Sequence, residues 1–345
     1  MDSDSQKFIV SLQNNDLHGV RHIPKSDLHN HAGRGGSQCY IANWANVKID
    51  PPDELFSSLD DMQVWFEQHV KIHCPGIAGY LKRLEAAFAQ AKADNIKVLA
   101  LNFGLDEVKG LGGMEHFTKT IHALHTAFSS ETEFLPELSL NRACNTDRIY
   151  NDVEEALSYR WFASIDICCN ELAQPIEPFH KIYRLAQSLG VKRKAHVGEF
   201  GTADDVIEAC ELLELDEVHH GIAAAASVPA MRWLSKHKIQ LNVCPTSNIL
   251  LGRAKSYQEH PIRALHDHDV KVTINTDDLL IFNQSASQEY QNLYSAGCMT
   301  GYELDSIRLT GLSASQSYQP MHRAVFCTKE YPNGLERAIP KDSKA

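Results

Sequence analysis

From Ile96 onward the chain alternates between two hydrophobic spacings. Short apolar runs of the kind that is buried on both faces in a parallel sheet are followed by stretches with apolar residues every third or fourth position. Ile96 to Phe103 (IKVLALNF) predicts a strand, and His116 to Phe128 a helix. Phe134 to Leu140 and Trp161 to Cys168 predict strands, each followed by a helix, at Asp152 to Tyr159 and at Pro178 to Leu189. The second of these helices stops at Gly190, a C-terminal cap. Val191 to Glu199 (VKRKAHVGE) predicts the next strand, and Thr202 caps a helix over Ala203 to Leu213. Strands at Glu217 to Ile222, Ile239 to Cys244 and Val270 to Asp277 follow, with helices at Pro229 to His237 and Pro261 to His268 between them.

The part before Ile96 is less regular. Residues 1–23 read as a polar lead-in with one short helix, and Ser26 to His31 (SDLHNH) as a short strand. Ala32 to Ser37 (AGRGGS) is a glycine-rich loop, and residues 38–80 form irregular helices over one end of the fold. Tyr80 to Ala93 is a helix with Leu81, Leu84, Phe88 and Ala91 on one face. Helices follow Asp277, and residues 335–345 read as a frayed tail. The fold class is therefore α/β, most economically a closed (β/α)8 TIM barrel with additional helices after the first strand and at the C-terminus, in one domain over residues 1–345. A flat doubly wound sheet is the rival. It is weakened because no strand leads into a dinucleotide glycine fingerprint, and AGRGGS lacks the ending of a phosphate-binding P-loop.

Composition narrows the class. With 43% hydrophobic and 22% charged residues the chain has the balance of a globular enzyme. The net charge of −11, without a basic stripe, argues against a polynucleotide partner. Lys192, Arg193 and Lys194 form too short a run to count, and read as a solvated strand edge. Nine cysteines without CxxC spacing fit a reduced, cytoplasmic setting better than a disulfide framework. The polar, acidic N-terminus is not a signal peptide, and no apolar run reaches the length of a membrane span. Assembly into a homo-oligomer stays open.

Four of the predicted strands end in chemically equipped tips. His29 and His31 lie two apart, so on a strand both imidazoles face one side, a natural pair of zinc ligands. His196 and Glu199 stand together around the turn at Gly198. His219-His220 places one ring inward and one outward by alternation, and the inward one can accept a proton from a metal-activated water. Asp277-Asp278 pairs two carboxylates, which is costly unless a positive group lies between them. Taken singly, each tip also has a structural reading as a buried histidine, a helix cap or a solvated pair. Together they stand at the C-terminal ends of strands one, five, six and eight, the face on which barrel enzymes carry their active sites. That points to a mononuclear metal hydrolase.

The motifs SDLHNH, DICCNE, AHVGE, VHHGI, NVCPTSN and TINTDD occur in the order in which the adenosine deaminase family carries them, and the chain resembles that family over nearly its whole length. The resemblance implies one Zn2+ held by His29, His31, His196 and Asp277. It makes Glu199 the acid that protonates purine N1, His220 the residue that assists the activated water, and Asp278 the partner of N7. Asp277 and His31 thereby also border the reacting substrate. The implied reaction is hydrolytic deamination of a 6-aminopurine nucleoside or nucleotide of the adenosine or AMP type, releasing ammonia. A raised pKa at Glu199 is expected, because the acid must be protonated when substrate is bound.

Two departures bear on the substrate. Gly33 stands where the family usually has a polar residue that meets the ribose, which puts adenosine-type ribose recognition in question. Cys169 replaces a glycine whose backbone approaches the purine, so a side chain reshapes the base pocket. Asn102-Phe103-Gly104 also lacks the family's usual charged pattern. Arg34, inside its glycine loop, is a candidate for a substrate phosphate or another anionic group; the plain alternative is a solvated arginine on a surface loop. Free adenine or an N6-substituted heterocycle is the alternative substrate class. A binuclear hydrolase is disfavoured because Trp161 to Glu171 contains no lysine to bridge two metals. Retention of every metal and acid position disfavours a non-catalytic homologue. The HxE and PCxxC signature of cytidine-type deaminases is absent.

Overall fold

A computed structural model describes residues 3–318, so the expected frayed tail lies outside the described residues. Eight parallel strands pair in chain order: β1 (Lys25–Asp27), β2 (Ile96–Gly104), β3 (Glu133–Asn141), β4 (Ser164–Cys168), β5 (Lys192–Val197), β6 (Glu217–His220), β7 (Gln240–Val243) and β8 (Lys271–Ile274). With helices between them they form the expected (β/α)8 barrel. Among the described residues no helix is long and apolar enough to cross a membrane, and each of the described cysteines is a free thiol.

The barrel closes differently from its other joints. Between β8 and β1 there is no ladder, and side chains join the two strands. The Leu28 N–H donates to Asn275 Oδ1 at 2.7 Å. Thr276 donates to Asp27 twice, from its N–H at 3.2 Å and from its hydroxyl at 2.5 Å. The Asp277 N–H donates to the His29 carbonyl at 2.9 Å. β1 is accordingly shorter than its sequence suggests. His29, Asn30 and His31 lie past its end, held by single bridges of Asn30 to Asp277 and of His31 to Asn102.

Helix ends were the other point of difference. The lead-in holds two helices, Ser3–Gln13 and Leu17–His22, the second capped by Asp16 accepting from the Gly19 N–H at 3.0 Å. The helix expected from Asp152 starts at Thr146, because Asn145 accepts from the Arg148 N–H and so caps the first turn.

The outer faces of the strands are apolar and pack on the helices, with Phe103, Phe117, Phe134 and Trp161 meeting edge to face. The inner surface is polar, unlike the branched aliphatic layers usual in such barrels. Along β5, Val191, Ala195 and Val197 join the outer core, while Lys194 points to the axis. Its Nζ is 2.8 Å from Glu137 Oε2 and 3.5 Å from Glu217 Oε2, and it is fully buried. Lys192 pairs with Glu217 at 2.6 Å, and Arg193 with Asp216 at 3.2 Å. The basic tripeptide is thus no solvated edge. Buried charge requires partners of opposite sign, and β3 and β6 supply two glutamates for one lysine, with Lys192 completing the balance.

Candidate active site

The C-terminal ends of the strands surround a cavity of about 610 Å3. Its wall includes His31, Gly33 and Arg34 after β1, Glu107 after β2, Cys169 after β4, His196 and Glu199 around the end of β5, His220, and Asp277 with Asp278. The segment Leu59–His69 covers one side with Phe66. Three of these residues leave their strands in the left-handed region: Cys169 at φ +73°, His220 at +63° and Asp277 at +57°. Such backbone costs of order 1–3 kcal/mol per residue and gathers at functional sites. At His220 it breaks the strand's alternation, which is why the expectation of one inward and one outward ring fails: the His219 and His220 rings both meet His29, with centroids 4.1 and 4.6 Å away. Gly198, at φ +73°, admits no side chain, since a Cβ there would lie 2.3 Å from Val206 Cγ2.

The glycine loop is packed rather than mobile surface. A Cβ on Gly35 would overlap Asn30, and one on Gly36 would come within 2.5 Å of Ala86. A Cβ on Gly33 would sit 3.1 Å from the Tyr80 ring and 3.3 Å from Glu107 Oε1. A carboxyl group from the short helix after β2 (Leu105–Gly110) therefore borders the space where the family pattern places a polar side chain on the β1 loop.

His29, His31, His196 and Asp277 come together at the centre. His31 Nε2 is 3.3 Å from Asp277 Oδ1, and His29 Nε2 is 3.8 Å from the same oxygen. His29 Nε2 and His196 Nε2 are 3.0 Å apart. The far side of each ring is anchored: His29 Nδ1 lies 3.1 Å from the Asn242 carbonyl, and His196 Nδ1 2.9 Å from Asp166 Oδ2. An Nδ1 facing an acceptor carries the proton of a neutral ring, which turns both Nε2 atoms toward one another as potential ligand atoms. Two lone pairs at that distance repel unless a cation lies between them, and rings oriented through Nδ1 are the usual arrangement of metal-ligating histidines. The donor set of three imidazoles and a carboxylate suits a divalent metal of the zinc type. At His31, burial opposes the charge, but Asp278 and Asp277 overcome it and raise the pKa to about 10.

Glu199 and His220 complete the centre. Glu199 is half-buried, and its enclosed Oε1 has no hydrogen-bond partner among the described residues. Burial and the Asp277 charge push its pKa well above the usual carboxyl range. His220 Nε2 is 3.6 Å from Glu199 Oε1 and 3.9 Å from Asp277 Oδ2. Burial lowers the His220 pKa to about 3, and Asn248, 3.2 Å from Nδ1, fixes the ring. Asp278 Oδ2 accepts from Arg34 Nη1 at 3.0 Å, while its Oδ1 is unpartnered among the described residues. Arg34 also meets Gln63 and lies over the Phe66 ring at 4.8 Å. It is not a solvated arginine, and a phosphate would compete with Asp278 for it.

Residues 118–326 match the family model described as Adenosine deaminase. The chain belongs to the adenosine deaminase family. It is 25% identical over 340 residues to the adenosine deaminase of Clostridium perfringens (strain ATCC 13124), covering 92% of this chain and 98% of that protein. A protein of Treponema pallidum (strain Nichols) with the provisional name adenosine/adenine deaminase is 29% identical over 292 residues, covering 84% of this chain and 98% of its own. In fold the chain is similar to adenine deaminase from Arthrobacter aurescens, with a TM-score of 0.72 at 18% identity over 85% of this chain and 95% of that one. It is also similar to the N6-mAMP deaminase of Arabidopsis, with a TM-score of 0.73 at 15% identity over 90% of this chain and 99% of that one. The protein is a hydrolytic deaminase of a metal-dependent family.

Several residues of this deaminase centre escaped sequence reasoning. Glu171 accepts from the N–H of Gly198 at 2.6 Å, and also from the N–H groups of Phe200 and Gly201. One carboxylate thus holds the turn that presents Glu199. Asp166 orients His196 and also accepts from Asn102 Nδ2 at 2.7 Å. Glu137 accepts from Asn102 and lies 2.8 Å from His219 Nε2, tying the buried charge layer to the site. DICCNE contains both Asp166 and Glu171, but nothing local in that motif shows that the two carboxylates face β5 and its turn.

Proposed function

We propose that the protein is a zinc-dependent deaminase that converts a neutral 6-aminopurine, adenine or adenosine, to the 6-oxo product and ammonia. One observation carries this reading: the Nε2 atoms of His29 and His196 face each other 3.0 Å apart, beside the enclosed and unpartnered Glu199 Oε1. His29, His31, His196 and Asp277 would hold one zinc ion. When bound, zinc supplies a water activated for attack at neutral pH. Glu199, kept protonated by its surroundings, delivers its proton to N1, so that attack at C6 does not leave negative charge on the ring. His220, kept neutral by burial, stands beside Glu199 and Asp277 and assists the attacking water. Asp278 Oδ1 and the thiol-lined wall at Cys169 border the base, and Gly33 with Glu107 borders what lies beyond it. Ammonia leaves from tetrahedral C6, completing the exchange of amino group for oxygen.

The preference for a neutral substrate rests on the cavity's cations. Arg34 faces Asp278, Lys71 pairs with Glu67 at 2.6 Å, and Arg83 donates to the carbonyls of Gly33 and Cys74. Each has a partner already, and the carboxyl groups of Asp106 and Glu107 stand on the same wall. The test is ammonia release from adenine, adenosine, deoxyadenosine, AMP, dAMP and N6-methylated forms, with zinc measured on the same sample. Turnover of a neutral aminopurine, lost on chelation and restored by zinc, is expected. Turnover confined to phosphorylated substrates, with Arg34→Ala impairing them selectively, would restore Arg34 as an anion-binding residue. Metal-replete protein releasing no ammonia from any 6-aminopurine would overturn the reading.

A further inference from the structure

Two thiols stand side by side on the cavity wall, and the deamination chemistry uses neither of them. Cys168 ends β4 and Cys169 begins the loop after it, and both line the cavity. Their Sγ atoms are 3.4 Å apart. The Ser139 hydroxyl, at the end of β3, lies 2.9 Å from Cys168 Sγ and steadies it. Cys169 is exposed, and its backbone is in the left-handed region. The pair is therefore pre-positioned, accessible from the cavity, and within reach of a molecule that enters it.

The chain geometry limits what such a pair can do. Consecutive Cα atoms lie about 3.8 Å apart across a trans peptide, whereas disulfides favour about 4.4–6.8 Å. A direct S–S bond between neighbours would close a strained ring. A single bridging atom enlarges that ring and removes the strain. Reaction also needs a thiolate. The hydrogen bond with Cys168 is the largest influence lowering the Cys169 pKa, and burial opposes it.

We propose that Cys168 and Cys169 form a dithiol site for trivalent arsenicals, whose occupant stands in the substrate cavity and excludes the purine. With an organoarsenic(III) oxide the step balances without redox change. Two As–S bonds form, the As–O double bond breaks, and both thiol protons leave with that oxygen as water. Arsenic remains trivalent, and each sulfur stays at the oxidation level of a thiolate.

The test uses the full-length, metal-loaded protein and phenylarsine oxide. Intact mass, free-thiol count and ammonia release are followed together. The expected result is one arsenical per chain, two thiols lost per arsenical, and activity falling in step with the adduct. A dithiol such as dimercaptopropanol reverses it, whereas a monothiol at equal thiol concentration does not. Cys168→Ser and Cys169→Ser each turn a chelate into a single bond and weaken binding by about 100-fold or more. Cys39→Ser and Cys144→Ser, which alter an exposed thiol elsewhere and the other described thiol on this cavity wall, retain the adduct. Peptide mapping of the wild-type adduct covers the case in which a serine variant does not fold. An adduct mapped to other cysteines, one that survives unweakened in either single variant, or one that leaves purine turnover intact would overturn the proposal. Mass and thiol count do not depend on which substrate the enzyme takes, so this outcome is separable from that of the proposed function.

Discussion

Replacing Glu171 with glutamine tests whether a residue that touches no substrate sets the position of the proton donor. The Glu171 carboxylate accepts three backbone N–H bonds, from Gly198, Phe200 and Gly201, on either side of Glu199. Glutamine is nearly the same size but offers one acceptor oxygen. If that oxygen keeps the two bonds at the Oε1 position, the new amide N–H group meets the Gly198 N–H donor to donor. Hydrogen bonds to a charged acceptor are worth about 1.5–3 kcal/mol each. Loss of one and weakening of two others therefore costs roughly 3–5 kcal/mol of the turn's stability. A displacement of about 1 Å at Glu199 is enough to lower turnover by about 100-fold. The expected result is a kcat reduced by about that factor, with zinc content near wild type because His196 precedes the turn. The Glu171 charge also helps to raise the Glu199 pKa, so the basic limb of the pH profile should move to lower pH. Steady-state ammonia release from pH 5 to 10, with metal analysis and thermal melting, reads each effect. A kcat within threefold of wild type and an unmoved basic limb would refute the argument.

Glu199→Gln should lower kcat by about 100- to 10,000-fold, the usual contribution of a positioned acid, with bound zinc unchanged; undiminished ammonia release would refute its role. In the proposed reaction the active form of Glu199 is protonated, and its pKa is raised, so kcat/KM should hold through the ordinary carboxyl range and fall as pH rises through that raised value. A fall centred near pH 4–5 on lowering the pH, with none on raising it, would contradict this. Asp166→Asn should weaken zinc binding by about 10- to 100-fold through His196, measured by competition with a chelator. Lys194→Met leaves Glu137 and Glu217 facing each other without their shared cation and should cost about 3–5 kcal/mol in urea unfolding; an unchanged midpoint would show that the layer tolerates the loss.

What the sequence made legible follows from the range of the interactions involved. Strands such as IKVLALNF and the helices between them are encoded by local spacing, so the barrel and its order could be read directly. The four site motifs lie at strand ends, where glycine and histidine spacing is also local. Lys194 was misread because alternation alone does not say which face of β5 is polar; its partners Glu137 and Glu217 come from other strands. The expectation of one inward and one outward ring at His219-His220 failed because a single left-handed residue overrides alternation and leaves no mark in residue type. Glu171 and Asp166 were invisible as supports because they act on residues 27 and 30 positions away. Gly33 was legible as a missing side chain, but Glu107, which borders the same space, could be found only in three dimensions.

The side-chain closure between β8 and β1 has a consequence for how the enzyme is made. Leu28 and Asn275, which meet across it, are 247 positions apart, and His29 and His31 lie on one side with Asp277 on the other. During synthesis the two histidines emerge early, whereas the aspartate emerges only after the seven further strands β2 to β8. A ribosome-bound fragment ending before β8 holds an open sheet and a set of imidazoles without their carboxylate. The deaminase centre is therefore among the last features the growing chain acquires, and a chain that terminates early cannot carry it.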